Sequence, residues 1–474
     1  MKKIRLWALL LTVLMLTSIV AGCSGDKDPP STTPVPGSGT TKGPDKTTAP
    51  AVEEVKMNGY EFLWAHAHSG YRPEGETANA DELKEIYAQI EEKFDCKILF
   101  IDPGNGMDNL TASVISGTKI ADFVRARQSS WIPLSMMGGL IPLDSDQMRE
   151  AGLDLFNPNN FHQPYTLMTE LNGHVWACDI SGKYDQMAFG HVYAFNKRLV
   201  AEAGYDPAAL FQAVRDGKWE YDLFLEIARK ITKDLDGDGK YDIWGVALDT
   251  DGNEIWSNGT GPILWDEANG RWYSNLSDPK LIKSLYFMTG ISGDPNVQFP
   301  LEGEAIPGRG DRRNMFYEGK AGFAGLYGPN FGEGGTFKMT DPVGLLPIPK
   351  GPDVDHYMIN MVDVDTFICL TSNDGWENGA KIMNEIGYHL HDMDGYREFI
   401  AEALQYDEES VEMLFDYLLP YAKMNIAKCS DDMYQITRKE FYDSVYKGNM
   451  TPSQAAEAFE GKIQAELDKV FRQS

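Results

Sequence analysis

The middle of the chain alternates two kinds of hydrophobic spacing. Residues 191–196 and 243–248 are short apolar runs, which are typical of buried strands. Between them, residues 221–232 carry Phe224, Ile227, Ala228 and Ile231 at helical spacing, so one face of this helix is apolar. Strands that alternate with helices in this way predict an α/β fold.

The same alternation occurs in the first part of the chain. Strands are predicted at 60–65, 96–101 and 120–126, and helices at 81–94 and 107–116. Right-handed connections between such units give a parallel sheet, and ligands bind beyond the carboxyl ends of its strands. That rule points to His66, His68 and Tyr71 after the first strand, and to Arg127, Gln128, Ser129 and Trp131 after the third. Of these, His68, Arg127, Gln128 and Trp131 are the predicted ligand-binding residues.

The later part of the chain continues the alternation. Further strands are predicted at 174–180, 321–327 and 361–371, and further helices at 278–288 and 376–390. The last helix begins with a capping box made by Thr451 and Gln454, with Pro452 in its first turn. A chain of 474 residues is too long for one compact core, so two lobes are expected.

The N-terminus predicts export. Lys2, Lys3 and Arg5 precede an apolar run at 6–16, and small residues follow directly before Cys23. A basic, an apolar and a small-residue region in this order predict a signal peptide at 1–22. The small residues before Cys23 resemble a bacterial lipobox, which would make Cys23 the diacylated, membrane-anchored first residue. The alternative is an ordinary signal peptide with an incidental cysteine.

Residues 23–54 differ in composition from the rest of the chain. They are rich in Pro, Ser, Thr and Gly and have almost no large apolar side chains, which predicts a disordered tether. The formal net charge of the whole chain is −28. Nucleic acid is therefore excluded as a partner, because phosphate binding needs a basic surface. Cys96, Cys178 and Cys369 lie in apolar runs and are expected to be buried thiols, although a disulfide stays open.

An acidic loop between the predicted helix at 221–232 and the predicted strand at 243–248 is a candidate calcium site. Carboxylates at loop positions 1, 3, 5 and 9 can converge on a hard cation, and position 7 offers a backbone carbonyl. These ligands would be Asp234, Asp236, Asp238, Asp242 and the carbonyl of Lys240. Position 12, where an EF-hand has a bidentate Glu, is Gly245. The alternative is an Asp/Gly turn without an ion.

Several short segments carry a family resemblance. They are 195–199 (FNKRL), 203–207 (AGYDP), 217–219 (GKW) and 236–245 (DGDGKYDIWG). Their order and spacing resemble the middle of bacterial extracellular solute-binding proteins, the substrate-capturing lipoproteins of ABC importers. The resemblance implies an α/β, two-lobed, periplasmic-binding-protein-like (type II) fold with an interlobe ligand cleft. It implies lobe 1 at 55–185, lobe 2 at 186–360, a return to lobe 1 at 361–405, and C-terminal helices at 406–474 that pack mainly on lobe 2.

Aromatic and polar residues suggest what such a cleft would hold. Sugar rings stack on flat aromatics while their hydroxyls pair with polar groups, so carbohydrate clefts mix both kinds of side chain. Candidates in loops and at strand ends are Trp256, Tyr327, Asn330 and Phe331, in addition to Trp131. For any single aromatic, core packing is the competing interpretation. Asp363 and Asp365, near the second lobe crossing, either accept ligand hydroxyls or solvate a hinge.

These inferences converge on a monomeric carbohydrate-binding lipoprotein that delivers its cargo to ABC permease subunits and performs no catalysis. Two alternatives stay open. One is a surface-anchored enzyme that acts on polysaccharide, which would need two opposed carboxylates. The other is an adhesion or scaffold lipoprotein that holds Ca²⁺ in the acidic loop.

Overall fold

The computed structural model describes residues 55–66, 70–75, 78–102, 107–184, 190–248, 252–300, 310–327, 339–361 and 363–473. The strands run, in chain order, as β1 Tyr60–Ala65, β2 Cys96–Ile101, β3 Phe123–Ala126, β4 Glu170–Leu171, β5 His174–Val175, β6 Ala177–Cys178, β7 Val192–Asn196, β8 Trp244–Ala247, β9 Ile263–Asp266, β10 Arg271–Ser274, β11 Ala321–Leu326, β12 Val343–Leu346, β13 Ile359–Met361, β14 Thr366–Ile368 and β15 Ala422–Met424.

The α-helices run as α1 Ala78–Phe94, α2 Met107–Ser116, α3 Gln128–Met136, α4 Asp146–Glu150, α5 Gln163–Leu167, α6 Lys197–Glu202, α7 Pro207–Arg215, α8 Tyr221–Ile231, α9 Pro279–Ser292, α10 Gly310–Tyr317, α11 Trp376–Leu390, α12 Met393–Ala403, α13 Glu408–Glu412, α14 Asp431–Tyr434, α15 Asp443–Tyr446 and α16 Pro452–Phe471. Short 3₁₀ turns lie at Asn253–Trp256, Leu419–Tyr421 and Ile426–Lys428, and π-helical segments at Met413–Leu418 and Gln435–Tyr442.

The first sheet has the strand order β2-β1-β3-β14-β6. β1 pairs in parallel with both β2 and β3, so the predicted parallel sheet is confirmed for these three strands. β14 then runs antiparallel between β3 and β6, because the chain returns to this sheet from the other lobe. Phe62 and Trp64 of β1 are fully buried, and Leu83, Tyr87 and Ile90 of α1 pack in the same cluster.

The second sheet has the order β12-β7-β11-β8. β7 lies inside this sheet, between β12 and β11, and all five of its residues are buried. This burial accounts for the continuous apolar sequence of β7. Helix α8 covers this sheet with Phe224, Ile227, Ala228 and Ile231, so the predicted apolar face is confirmed. It lies so close that a Cβ at Gly245 would be 2.2 Å from the carbonyl oxygen of Ala228. Only glycine fits there.

The C-terminal segments divide between the two sheets. Buried residues at 396–422 belong to the cluster around the second sheet. Buried residues at 426–471 pack instead with Val124 of the first sheet, with Trp131 of α3 and with the segment 255–288. The capping box of α16 is confirmed, since Thr451 accepts from the Gln454 backbone and the Gln454 side chain accepts from the Thr451 N–H. The residue boundaries of the lobes stay a prediction.

Several predicted strands are shorter than expected: β3 covers only Phe123–Ala126 of 120–126, and two others are interrupted. The run 174–180 splits into β5 and β6. Among the described residues of 361–371 only β14 forms, because β13 begins before this run and ends at its first residue, Met361. In the second case the chain leaves β15, the partner of β13, and joins β3 and β6 within a few residues. Cys96, Cys178 and Cys369 are buried and free, as expected, and so is Cys429. Among the helices of the described ranges, none is long and apolar enough to cross a bilayer.

Candidate ligand-binding cleft

The carboxyl ends of β1, β2 and β3 meet at one edge of the first sheet, and antiparallel β14 begins there. Arg127 follows β3, and its Nε donates to Oδ1 of Asp365 at 3.2 Å. The negative charge of Asp365 raises the pKa of Arg127, so the guanidinium is held charged. Asp363 forms an ion pair with Lys428. Two predicted site residues are therefore brought together, and a third has a cationic partner.

Gln128 has a positioning role that the sequence did not reveal. Its side chain is fully buried at the start of α3, and its Oε1 accepts the backbone N–H of Val364 at 2.9 Å. Val364 lies between Asp363 and Asp365. Gln128 thus holds the segment that presents both carboxylates, and the expectation that it faces a ligand is wrong because the side chain has no exposed surface.

His66 also lies at this edge, directly after β1, and is fully buried. Burial, and then the positive charges of Arg72 and Arg125, lower the pKa of His66 to about 3. The imidazole is therefore neutral at physiological pH. Arg72 donates to the carbonyl oxygens of His66 at 2.7 Å and Ile101 at 3.1 Å, which ties the ends of β1 and β2 together.

The matching edge of the second sheet gathers the start of β7 and the ends of β8 and β11. His191, just before β7, stacks on Tyr327, just after β11, with ring centroids 5.1 Å apart. The guanidinium of Arg313 lies 5.2 Å from the centroid of the Tyr327 ring. Tyr327 is therefore half-buried in a stack of three side chains. Of these three residues, the sequence predicts only Tyr327. His191 lies beside it because β7 runs antiparallel to β11, and Arg313 reaches it from α10.

The chain crosses between the two sheets twice, once between β6 and β7 and once between β12 and β14. The two crossings touch each other. Gly190 lies directly before His191, and a Cβ there would be 1.9 Å from the carbonyl oxygen of Asn360. Asn360 belongs to β13, three residues before Asp363. The contact between Gly190 and Asn360 therefore brings the sheet edge that carries His191 next to the sheet edge that carries Asp363. We define the cleft-edge residues as Arg127, Asp363, Asp365, His191, Arg313 and Tyr327.

Two predicted ligand aromatics are packed in the interior. Trp131 has no exposed surface, because α3 lies between the first sheet and the C-terminal helices. The prediction that it stacks on a ligand is therefore corrected to a core role. Trp256, 6% exposed, lies in the 3₁₀ turn after β8 and packs so closely on Gly261 that a Cβ there would be 2.0 Å from its ring. It lines an apolar cavity of about 880 Å³ beside the β13–β15 pair.

The acidic loop is built as a compact turn closed by the backbone pairing of Lys233 with Ile243. Asp234 accepts the N–H groups of Gly239 at 2.9 Å and Gly237 at 2.7 Å, and these hydrogen bonds lower its pKa. Oxygens of Asp234, Asp236 and Asp242 lie within 4.8 Å of one another.

The other two predicted ligands differ from these three. The carboxylate of Asp238 lies outside this group and accepts the Lys240 N–H at 2.8 Å. Gly245 is fixed by its contact with α8, which explains why the twelfth position has no carboxylate.

Four predicted positions lie outside the described residues. They are the lipidation site Cys23 and the candidate ligand contacts His68, Asn330 and Phe331.

No family model matches the chain, and no curated protein matches it by sequence. Solved structures of similar fold do match. UgpB from Mycobacterium tuberculosis in complex with glycerophosphocholine is 16% identical, covers 87% of this chain and 98% of its own, and has a TM-score of 0.59. The maltose/maltodextrin-binding domain MalE from Bdellovibrio bacteriovorus bound to maltotriose is 16% identical, with 87% and 99% coverage and a TM-score of 0.54.

A third match is the ABC substrate-binding protein Lmo0181 from Listeria monocytogenes in complex with cycloalternan. It is 15% identical, with 86% and 99% coverage and a TM-score of 0.54. Nearly the whole of each of these proteins is covered by the match to this chain. The chain therefore has the two-lobed type II fold of the substrate-binding proteins of ABC importers.

Proposed function

We propose that this protein is an extracytoplasmic solute-binding lipoprotein that captures a carbohydrate, and in particular an oligosaccharide, between its two lobes. Its mature N-terminus would be Cys23, diacylated and held at the outer face of the cell membrane. The loaded monomer would deliver its cargo to the permease subunits of an ABC importer without chemical change. The observation that carries the proposal is the two-lobed fold with charged and aromatic residues at the strand ends beside its crossings.

The charge pairing of the cleft-edge residues supports a neutral, hydroxyl-rich cargo. Arg127 is paired with Asp365, and Lys428 with Asp363, so this edge offers both donors and acceptors without a large net charge. Hydroxyl groups can act as both donor and acceptor and therefore suit such paired groups. Tyr327 offers a ring for a sugar face. The similar structures that hold maltotriose and cycloalternan support the same class of cargo.

Capture would work by hinge closure. A ligand that contacts both sheet edges favours the closed arrangement, because only that arrangement lets both sets of contacts form. The ligand shifts the equilibrium only by its difference in affinity for the two states.

We also propose that the acidic loop binds Ca²⁺ as a structural ion. Each of Asp234, Asp236 and Asp242 has two carboxylate oxygens and uses at least one on a backbone N–H of the loop. Ca²⁺ takes six to eight oxygen ligands, so this group fits only with the Lys240 carbonyl and water in addition. Asp238 is the weakest member of the set because it lies outside the cluster.

The test is a thermal-shift and calorimetric screen of the purified protein against mono- and oligosaccharides, with and without Ca²⁺. Binding to the native state raises the unfolding midpoint by mass action. A rise with one class of saccharide, with the saccharide recovered intact, supports the proposal. Consumption of the saccharide would favour the polysaccharide-active enzyme. If only Ca²⁺ raises the midpoint, and no saccharide or other small solute does, the adhesion or scaffold function is favoured instead.

A further inference from the structure

The apolar cavity of about 880 Å³ is separate from the cleft-edge residues. It lies beside the pair formed by β13 and β15, and its walls include Met358 and residues 422–424. Among the described residues, none of the cleft-edge set lines it. A cavity of this size is within the range of pockets that bury a whole small molecule.

The side chains of this cavity share a chemical character. Three tryptophans, one phenylalanine and four methionines line it, among them Trp256, Trp265, Trp272, Phe415, Met168 and Met424. Trp265 and Trp272 stand edge to face at 5.3 Å on the β9–β10 hairpin. The charged lining residues Glu170 and Lys423 are both exposed and therefore belong to its rim.

Few hydrogen-bonding groups of the interior are free for a ligand. Among the lining residues, the buried Nε1 of Trp272 and Nδ1 of His162 make no hydrogen bond, whereas two hydroxyl groups are engaged. The hydroxyl of Tyr165 donates to Sδ of Met361 at 3.4 Å, and that of Thr260 donates to Asp278 at 3.1 Å. A polyhydroxylated ligand would leave several of its hydroxyls without partners in such a cavity, which is costly. Aromatic rings, in contrast, are attracted both by the faces and edges of other rings and by methionine thioethers.

We propose that this cavity binds an aromatic small molecule of two or more fused or linked rings, with its polar substituent at the rim beside Glu170 and Lys423. The ring system lies against Trp256, Trp265 and Phe415, and the flexible methionines adjust to its outline. This site is independent of the saccharide cleft and does not rest on the carbohydrate proposal.

The experiment is isothermal titration calorimetry of the full protein with 2-naphthol, and with maltotriose as the polar comparator. We expect 2-naphthol to bind at one site per chain. Trp265→Ala should weaken that binding at least tenfold, because it removes one wall of the cavity. Trp265 is 37% exposed, so the substitution leaves the core intact. Tyr286→Ala is the matched control, since Tyr286 is also an exposed aromatic but does not line the cavity, and it should change nothing.

A second variant tests the interior. Met168→Glu places a charge among the rings and should abolish 2-naphthol binding, with folding checked by circular dichroism. The proposal is overturned if 2-naphthol does not bind, if Trp265→Ala binds it like the unchanged protein, or if maltotriose competes with it for the cavity. Arg127→Ala separates the two sites, because it alters a cleft edge and should leave 2-naphthol binding intact. Failure of every saccharide to bind would refute the carbohydrate proposal alone.

Discussion

Gln128 offers the sharpest test of how the first cleft edge is held. Its buried Oε1 accepts the N–H of Val364, the residue between Asp363 and Asp365. Gln128→Met keeps most of the side-chain volume but removes the acceptor. The buried N–H then lacks a partner, which should lower the free energy of unfolding by about 1–3 kcal/mol. Gln128→Ala also leaves a void and should cost about 1–2 kcal/mol more.

The same substitutions should weaken saccharide binding. Without the hydrogen bond, the segment that carries Asp363 and Asp365 is no longer fixed. Part of the free energy of ligand binding must then offset the entropy cost of ordering this segment. A loss of about 1.4 kcal/mol corresponds to tenfold in affinity, and we expect a loss of at least this size for Gln128→Met. Urea unfolding measures stability, and calorimetry with the saccharide identified by screening measures affinity.

The matched control is Gln163→Met. Gln163 also has a side-chain amide bonded to the backbone, but its Nε2 donates to the carbonyl oxygens of Leu155 and Phe161, and none of the cleft-edge residues takes part. It should change stability without changing saccharide affinity. If Gln128→Met is as stable as the unchanged protein and binds saccharide equally well, Gln128 does not position this edge and the reasoning fails.

Four further predictions follow from other contacts. Arg127→Ala should reduce saccharide affinity at least tenfold, and Asp365→Asn should show a non-additive effect in the double variant, as measured by calorimetry. Asp234→Asn should remove any Ca²⁺-induced rise of the unfolding midpoint while the saccharide-induced rise persists. Gly190→Val should destabilise by about 1–3 kcal/mol, because a Cβ meets the neighbouring crossing at 1.9 Å. His66 has a pKa lowered from 6.5 to about 3, so its stabilising contribution is complete above pH 6.5 and is lost as pH falls toward 3; His66→Gln should flatten that part of the stability profile.

The sequence predicted elements best where local signals agree. β1, β2, α2 and α11 begin and end where the spacing of apolar residues placed them, and the α16 capping box is present. Alternation, charged flanks and cap residues all depend on neighbours along the chain, so they can be read without the tertiary structure. The strand predicted at 361–371 differs because β15, which lies sixty residues further along the chain, pairs with Ile359–Met361 and ends this strand at the first predicted residue.

The site was harder to predict for the same physical reason. An aromatic residue after a strand has the same sequence signal whether it faces a cleft or the core. Trp131 is buried because 426–471 pack over α3, a long-range contact that no local pattern reveals. Arg127 and Asp365 were both selected, but their pairing follows from the antiparallel register of β3 and β14. The sequence therefore predicts which polar residues lie near the crossings, but it does not predict which of them form ion pairs or hydrogen bonds with each other.

The contacts at the crossings indicate what kind of motion the fold allows. Near the start of the first crossing, a Cβ at Gly182 would be 2.7 Å from the backbone N of Asp392, so this backbone is held against the end of α11. The second crossing is held by Val364 on Gln128 and by Met361, whose carbonyl accepts the Asn425 N–H at 3.1 Å. Because the chain beside each crossing is anchored to packed elements, bending it at these anchored residues would break hydrogen bonds or close contacts. Closure should therefore occur as a rotation of two intact lobes about short connections, which is why a bulky side chain at Gly190 should affect it more than an equal change within a sheet.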